Sequence, residues 1–264
     1  RTATPSAGDP EMLHLDLRTL RWGTLALASM LAIAAGDARA ITVPFGDSAR
    51  YWDGYANGTG ADSRDTIGTP DLLGGTATFD DTTGRLTSVR IDYTGYFSLV
   101  ASGNARVIPG DLFLDAGSDG HWDFVVTLVS GAQTPVANYA SLSILDVSGI
   151  GSPTYLHSGS DNSGYWSGYG IRDRHPYAWN GGGTPVGTAS LGAFNPLASG
   201  GSLLFDLGIG LPVNASLTIG FAPSCANDVL RETVSAPVPE PTAALIFGIG
   251  LAAVARGQRS LRRA

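Results

Sequence analysis

The chain has 264 residues with 36 Gly, 15 Pro and 43% hydrophobic residues, which describes a turn-rich globular chain of about one domain and excludes wholesale disorder. All 16 basic residues are arginine against 23 acids, and a formal charge of −7 argues against nucleic acid as a partner. The charge is uneven: four arginines precede Ile41, four follow Val254, and between Ile41 and Val238 eight arginines face eighteen acids, with one cysteine, Cys225, and so no internal disulfide.

At the N-terminal end Arg18 and Arg21 precede an uncharged apolar run of 14 residues, 22–35, and Ala38-Arg39-Ala40 fits a small-x-small cleavage site. These three features make a cleavable secretory signal, whereas a membrane span wants about 20 apolar residues. Residues 1–40 are therefore read as upstream sequence plus a signal helix starting at Met12, with cleavage expected after Ala40. The general secretion machinery and signal peptidase are the partners this implies.

Residues 41–237 read as one body of short strands punctuated by turn residues, with candidates at 76–79, 86–93, 96–102, 111–115, 122–128, 140–147, 202–207 and 216–221. Thr87, Val89, Ile91 and Tyr93 alternate with polar neighbours, and Asp80-Asp81-Thr82-Thr83-Gly84 suits the preceding hairpin loop. The expected fold is all-β, an antiparallel β-sandwich, with long loops between Gly151 and Gly201.

Three constellations in the body carry chemistry. Asp115, Asp119 and Asp123 stand at positions 1, 5 and 9 of a calcium-type loop with Gly120 at its turn, but Gly117 and Val126 occupy positions where such a loop needs oxygens. The same residues suit an acidic β-hairpin turn, and both readings stay open. Asp62, Asp65 and Asp71 form a second acidic stretch that matches no complete site. Tyr165, Trp166, Tyr169, Tyr177 and Trp179, interleaved with Arg172, Arg174 and Asn180, could stack on sugar rings, or could pack a long loop onto the body.

An enzyme reading finds little to build on. His121, His157 and His175 fall in no metal-protease spacing, no Gly-x-Ser-x-Gly elbow is present, and Cys225 stands without a nucleophile signature. The body is therefore read as non-catalytic, with calcium as the one candidate cofactor. A polysaccharide-acting hydrolase using paired aspartates is kept as the alternative.

The C-terminal end is the most specific. Val238-Pro239-Glu240-Pro241 leads into 14 apolar residues, 242–255, and then Arg256, Arg259, Arg262 and Arg263. The run reaches only ~21 Å at ~1.5 Å per residue, so a span needs arginine stems to snorkel or the bilayer to thin. Arginines on one side keep that side cytoplasmic.

Residues 238–264 resemble the PEP-CTERM sorting signal of Gram-negative bacteria, in which a Pro-Glu-Pro motif, a short transmembrane helix and an arginine-rich tail are recognised by an exosortase. The resemblance implies that Pro239, Glu240 and Pro241 are the recognition residues and that the tail is cut near them after transient anchoring in the inner membrane. It further implies a body released to the cell surface or extracellular matrix, associated with exopolysaccharide in a structural or adhesive role.

Overall fold

Alternation of large apolar and polar residues makes the strands, and acids organise several of the turns. Strand β2 (Asp71–Asp80) and strand β3 (Leu86–Thr94) form a hairpin around Asp80, whose Oδ1 accepts the N–H groups of Thr82 and Thr83 and the Thr83 hydroxyl at 3.1, 2.7 and 2.7 Å. Gly84, at φ +66°, donates its N–H to the Asp80 carbonyl. In β3 Val89, Ile91 and Tyr93 point inward. Leu86 points inward too, because pairing passes from Thr78↔Ser88 to Phe79↔Leu86 and leaves Thr87 as an extra residue, a bulge that returns Leu86 to the core face.

The structure, a computed structural model, describes residues 39–55, 65–66, 68–95, 97, 107–130, 134–135, 139–158, 174–195 and 198–237, which belong to one compact unit beginning at Arg39. Among the described residues there are strands and no helix. The remaining strands are β1 (Ala40–Phe45), β4 (Leu112–Asp115), β5 (Phe124–Thr127), β6 (Val129–Ser130), β7 (Thr134–Pro135), β8 (Leu142–Asp146) and β9 (Tyr155–His157). They continue with β10 (Pro176–Trp179), β11 (Thr184–Leu191), β12 (Gly200–Leu211), β13 (Ser216–Phe221) and β14 (Leu230–Ser235).

Ten strands make one antiparallel sheet in the order β1-β2-β3-β12-β11-β8-β5-β4-β13-β14; β9 with β10 and β6 with β7 form two small ribbons. Strand β11 is the corner: Thr184 to Ala189 pair with β8, while Ser190 and Leu191 pair with β12. The sheet curls until its edge strands β1 and β14 lie beside each other, nearly closing a barrel. The all-β antiparallel expectation holds, but the two separate sheets of a sandwich are replaced by one continuous sheet, because β11 carries pairing from one half to the other.

The residues alternate into two cores. Leu112, Leu114, Val126, Ile144, Leu217, Ile219 and Phe221 face the interior and meet Phe79, Val89, Ile91, Leu203 and Phe205 from the opposite wall. Their neighbours Phe113 and Val125 face outward, yet are buried beneath the β9–β10 ribbon and Trp52. With both faces covered, β4 is buried at every position, which explains the consecutive apolar residues Leu112, Phe113 and Leu114 ahead of Asp115.

Strands β9, β10 and β11 lie within the stretch from Gly151 to Gly201 for which long loops are expected; between β9 and β10, residues 159–173 lie outside the described residues. The candidate strand at 96–102, the signal helix and the C-terminal apolar helix lie outside the described residues, apart from Phe97, which is buried in the inner core.

Candidate functional site

Three acids from distant parts of the chain converge at the seam between the sheet edges. Asp47 lies two residues beyond β1, Asp65 lies in the β1–β2 connection, and Asp228 lies two residues before β14. One carboxylate oxygen from each lies within 4.8 Å of the others. Asp71 and Glu232 stand close enough to act on the same charge: Asp47 is pushed up to about 9, first by burial and then by Asp228, Asp65, Glu232 and Asp71. Both Asp47 oxygens are sealed from solvent and neither has a hydrogen-bond partner.

The neighbouring acids are held in place. Asp228 Oδ2 accepts the Leu72 N–H at 2.6 Å and the Thr66 hydroxyl at 3.2 Å, while Oδ1 accepts the Val229 N–H at 2.9 Å. Thr66 Oγ1 also lies 2.6 Å from Asp71 Oδ1. Across the seam, Glu232 Oε1 accepts the N–H and hydroxyl of Ser48 at 2.9 and 2.8 Å. Further contacts cross the same seam: Trp52 Nε1 donates to the Leu230 carbonyl at 3.0 Å, and Arg231 pairs with Asp53 at 2.6 Å.

The Asp115–Asp123 loop, the first acidic constellation of the sequence, is tied together by its own acids. Asp115 is buried, and its oxygens accept the N–H groups of Gly117, Asp119 and Gly120 at 3.2, 3.1 and 2.9 Å. Asp119 Oδ1 accepts the His121 N–H, and Asp123 Oδ2 accepts the Ala116 N–H. These carboxylates hold the loop's own backbone, which is the turn reading of the motif. Among the described residues, the acids gathered as a ligand set are those at the seam, not Asp115, Asp119 and Asp123. Asp123 is raised by burial and then by Asp115, Asp119 and Asp146, against the Ala116 N–H.

The aromatic constellation divides. Tyr165, Trp166 and Tyr169 lie outside the described residues. Tyr177 is fully buried, so its ring offers no face to a sugar at the surface; it sits on β10, which packs onto the barrel's outer face. Trp179 is 7% exposed and lines a cleft of about 260 Å³ with Trp122, Tyr155, His121, Ser148 and Ile150. The cleft lies between the Asp115–Asp123 turn and the β8–β9 connection. Its rings are mutually braced: Tyr155 and Trp179 meet edge to face with centroids 5.6 Å apart. Burial, with Tyr55 adding to it, pushes Tyr155 up to about 12.

The remaining reactive side chains serve structure. Cys225 is buried and donates Sγ–H to Asn227 Oδ1 at 2.7 Å, and Asn227 Nδ2 donates to the Pro70 carbonyl at 2.6 Å. His175 is buried, accepting the Trp52 N–H on Nε2 at 3.0 Å, with Nδ1 2.8 Å from the Pro176 carbonyl. Pro239, Glu240, Pro241, Arg256, Arg259, Arg262 and Arg263 lie outside the described residues. Sequence reasoning singled out Asp65, but not Asp47, Asp228 or Trp122 as site members; a lone Asp beside a strand carries no signal of its own. Compared with protein-family models, curated proteins and solved structures, the chain finds no match in any of the three.

Proposed function

We propose that the chain is an exported, exosortase-processed surface or matrix protein whose all-β body, flanked in the precursor by a signal helix and a short membrane helix, binds saccharide units of exopolysaccharide without turning them over. The observation that carries the binding role is the cleft in which Trp122, Tyr155 and Trp179 gather around His121 and Ser148. Aromatic rings offer apolar faces to pyranose rings, and a few fixed polar groups set orientation. The run Pro239-Glu240-Pro241, an apolar segment and four arginines supports the sorting route.

Both halves are testable. In a Gram-negative host with an exosortase, the surface-released protein is expected to begin at Ile41 and to lack its arginine tail by intact mass. Glu240→Ala is expected to keep the tail and stay in the membrane fraction; release of that variant at the wild-type mass refutes the sorting half. For binding, Trp122→Ala and Ile150→Asp, the latter altering only the exposed rim, are each expected to weaken retardation in polysaccharide-containing gels by at least ~10-fold. Unchanged retardation in both variants removes the cleft from the function.

A further inference from the structure

We propose that Asp47, Asp65 and Asp228 bind a hard divalent cation of the calcium type, and that this ion closes the barrel along the seam between β1 and β14. Three observations lead there. First, one oxygen from each acid falls within 4.8 Å of the others, and oxygens sharing one ion at ~2.4 Å can lie at most about 4.8 Å apart. Second, both Asp47 oxygens are sealed from water and accept no hydrogen bond. A cation between the three carboxylates supplies the partner that no donor of the protein gives these oxygens.

Third, the position gives the ion structural work. The ladder stops at β1 on one side and β14 on the other, and Asp47 and Asp228 stand two residues from those strands. An all-oxygen set with Asp71 and Glu232 nearby adds negative field and offers no soft ligand, which favours calcium over zinc. The donors come from three separate segments, which suits the irregular coordination of calcium better than the strict octahedron of magnesium.

The test uses the full-length chain in detergent, stripped with a chelator and titrated with CaCl2 by calorimetry and thermal unfolding. One saturable site is expected, with a midpoint rise of about 5 °C or more at saturation. Hydrogen exchange is expected to slow in β1 and β14 more than in the central strands β3 and β12. Asp47→Asn and Asp228→Asn are expected to abolish binding and the rise, while Asp119→Asn keeps both. Because Asn has nearly the shape of a neutral Asp, the stripped Asp47→Asn form is expected to melt close to stripped wild type, so loss of binding is separable from loss of folding. No heat and no shift with wild type, full binding in Asp47→Asn, or an equal shift with MgCl2 at the same concentration overturns the assignment.

Discussion

Asp111 shows how one side chain joins three segments. It is fully buried, and its carboxylate accepts the N–H groups of Leu128 and Val129 on Oδ1, at 2.6 and 2.9 Å, and of Trp179 on Oδ2, at 2.8 Å. It thereby ties the start of β4 to the end of β5 and to the covering ribbon. Asp111→Ala leaves three buried donors without acceptors, and at about 1–3 kcal/mol for each such group the expected loss is at least ~3 kcal/mol by denaturant unfolding. Asp111→Asn turns an N–H group toward another N–H and is expected to cost about 2 kcal/mol. Burial pushes Asp111 up to about 7 despite the three N–H groups that pull it down. The folded protein therefore holds a proton that the unfolded chain has already released above its ordinary value near 3.8, so this contribution is full below pH 4 and is lost as pH rises through 7. Unfolding midpoints of wild type and Asp111→Asn between pH 5 and 8 check the sign: wild type is expected to lose more stability on going up.

At the scale of elements, the β9–β10 ribbon decides whether β4, β5 and β13 have a wet outer face. Trp52 clamps the adjoining layer, with ring centroids 5.0 Å from Phe113 and 5.2 Å from both Trp122 and His175. Trp52→Ala is expected to cost about 3–5 kcal/mol, of the size seen when large buried aromatics are truncated. It should also raise exchange in β9 and β10 before the inner sheet. Gly110 marks the tightest approach, since a Cβ there would collide with the carbonyl oxygens of Tyr177 and Ala222. Gly110→Ala is accordingly expected to be destabilising by several kcal/mol, visible as a lower midpoint; a neutral result would mean that the ribbon can move away from the wall. The strands read correctly from sequence share a feature: β3, β5, β12 and β13 alternate or are rich in β-branched and aromatic residues. By contrast β9 and β10 are short, and residues 176–179, Pro-Tyr-Ala-Trp, carry no period. They are strands because they pair with each other and cover Phe113 and Val125, a reason written in the partner rather than in the segment.

For the whole molecule, the inner core draws on both halves of the curled sheet, so the barrel is expected to melt as one unit. Calorimetry on the chain cut to residues 39–237 should show a single transition with equal van't Hoff and calorimetric enthalpies; two transitions would mean that the halves flanking β11 fold separately. The sequence by itself determined the class of the body as antiparallel all-β, the positions of its most regular strands and the acidic hairpin at Asp80, because these rest on local alternation and turn chemistry. Only the tertiary structure decided that the sheet is continuous through β11, that Tyr177 is core, and that Asp115 serves its own loop. It alone joined Asp47 to Asp228 across nearly the full length of the body. A strand's period is local to a few residues, whereas a seam is made when the two ends of a sheet meet, and no window along the chain contains both.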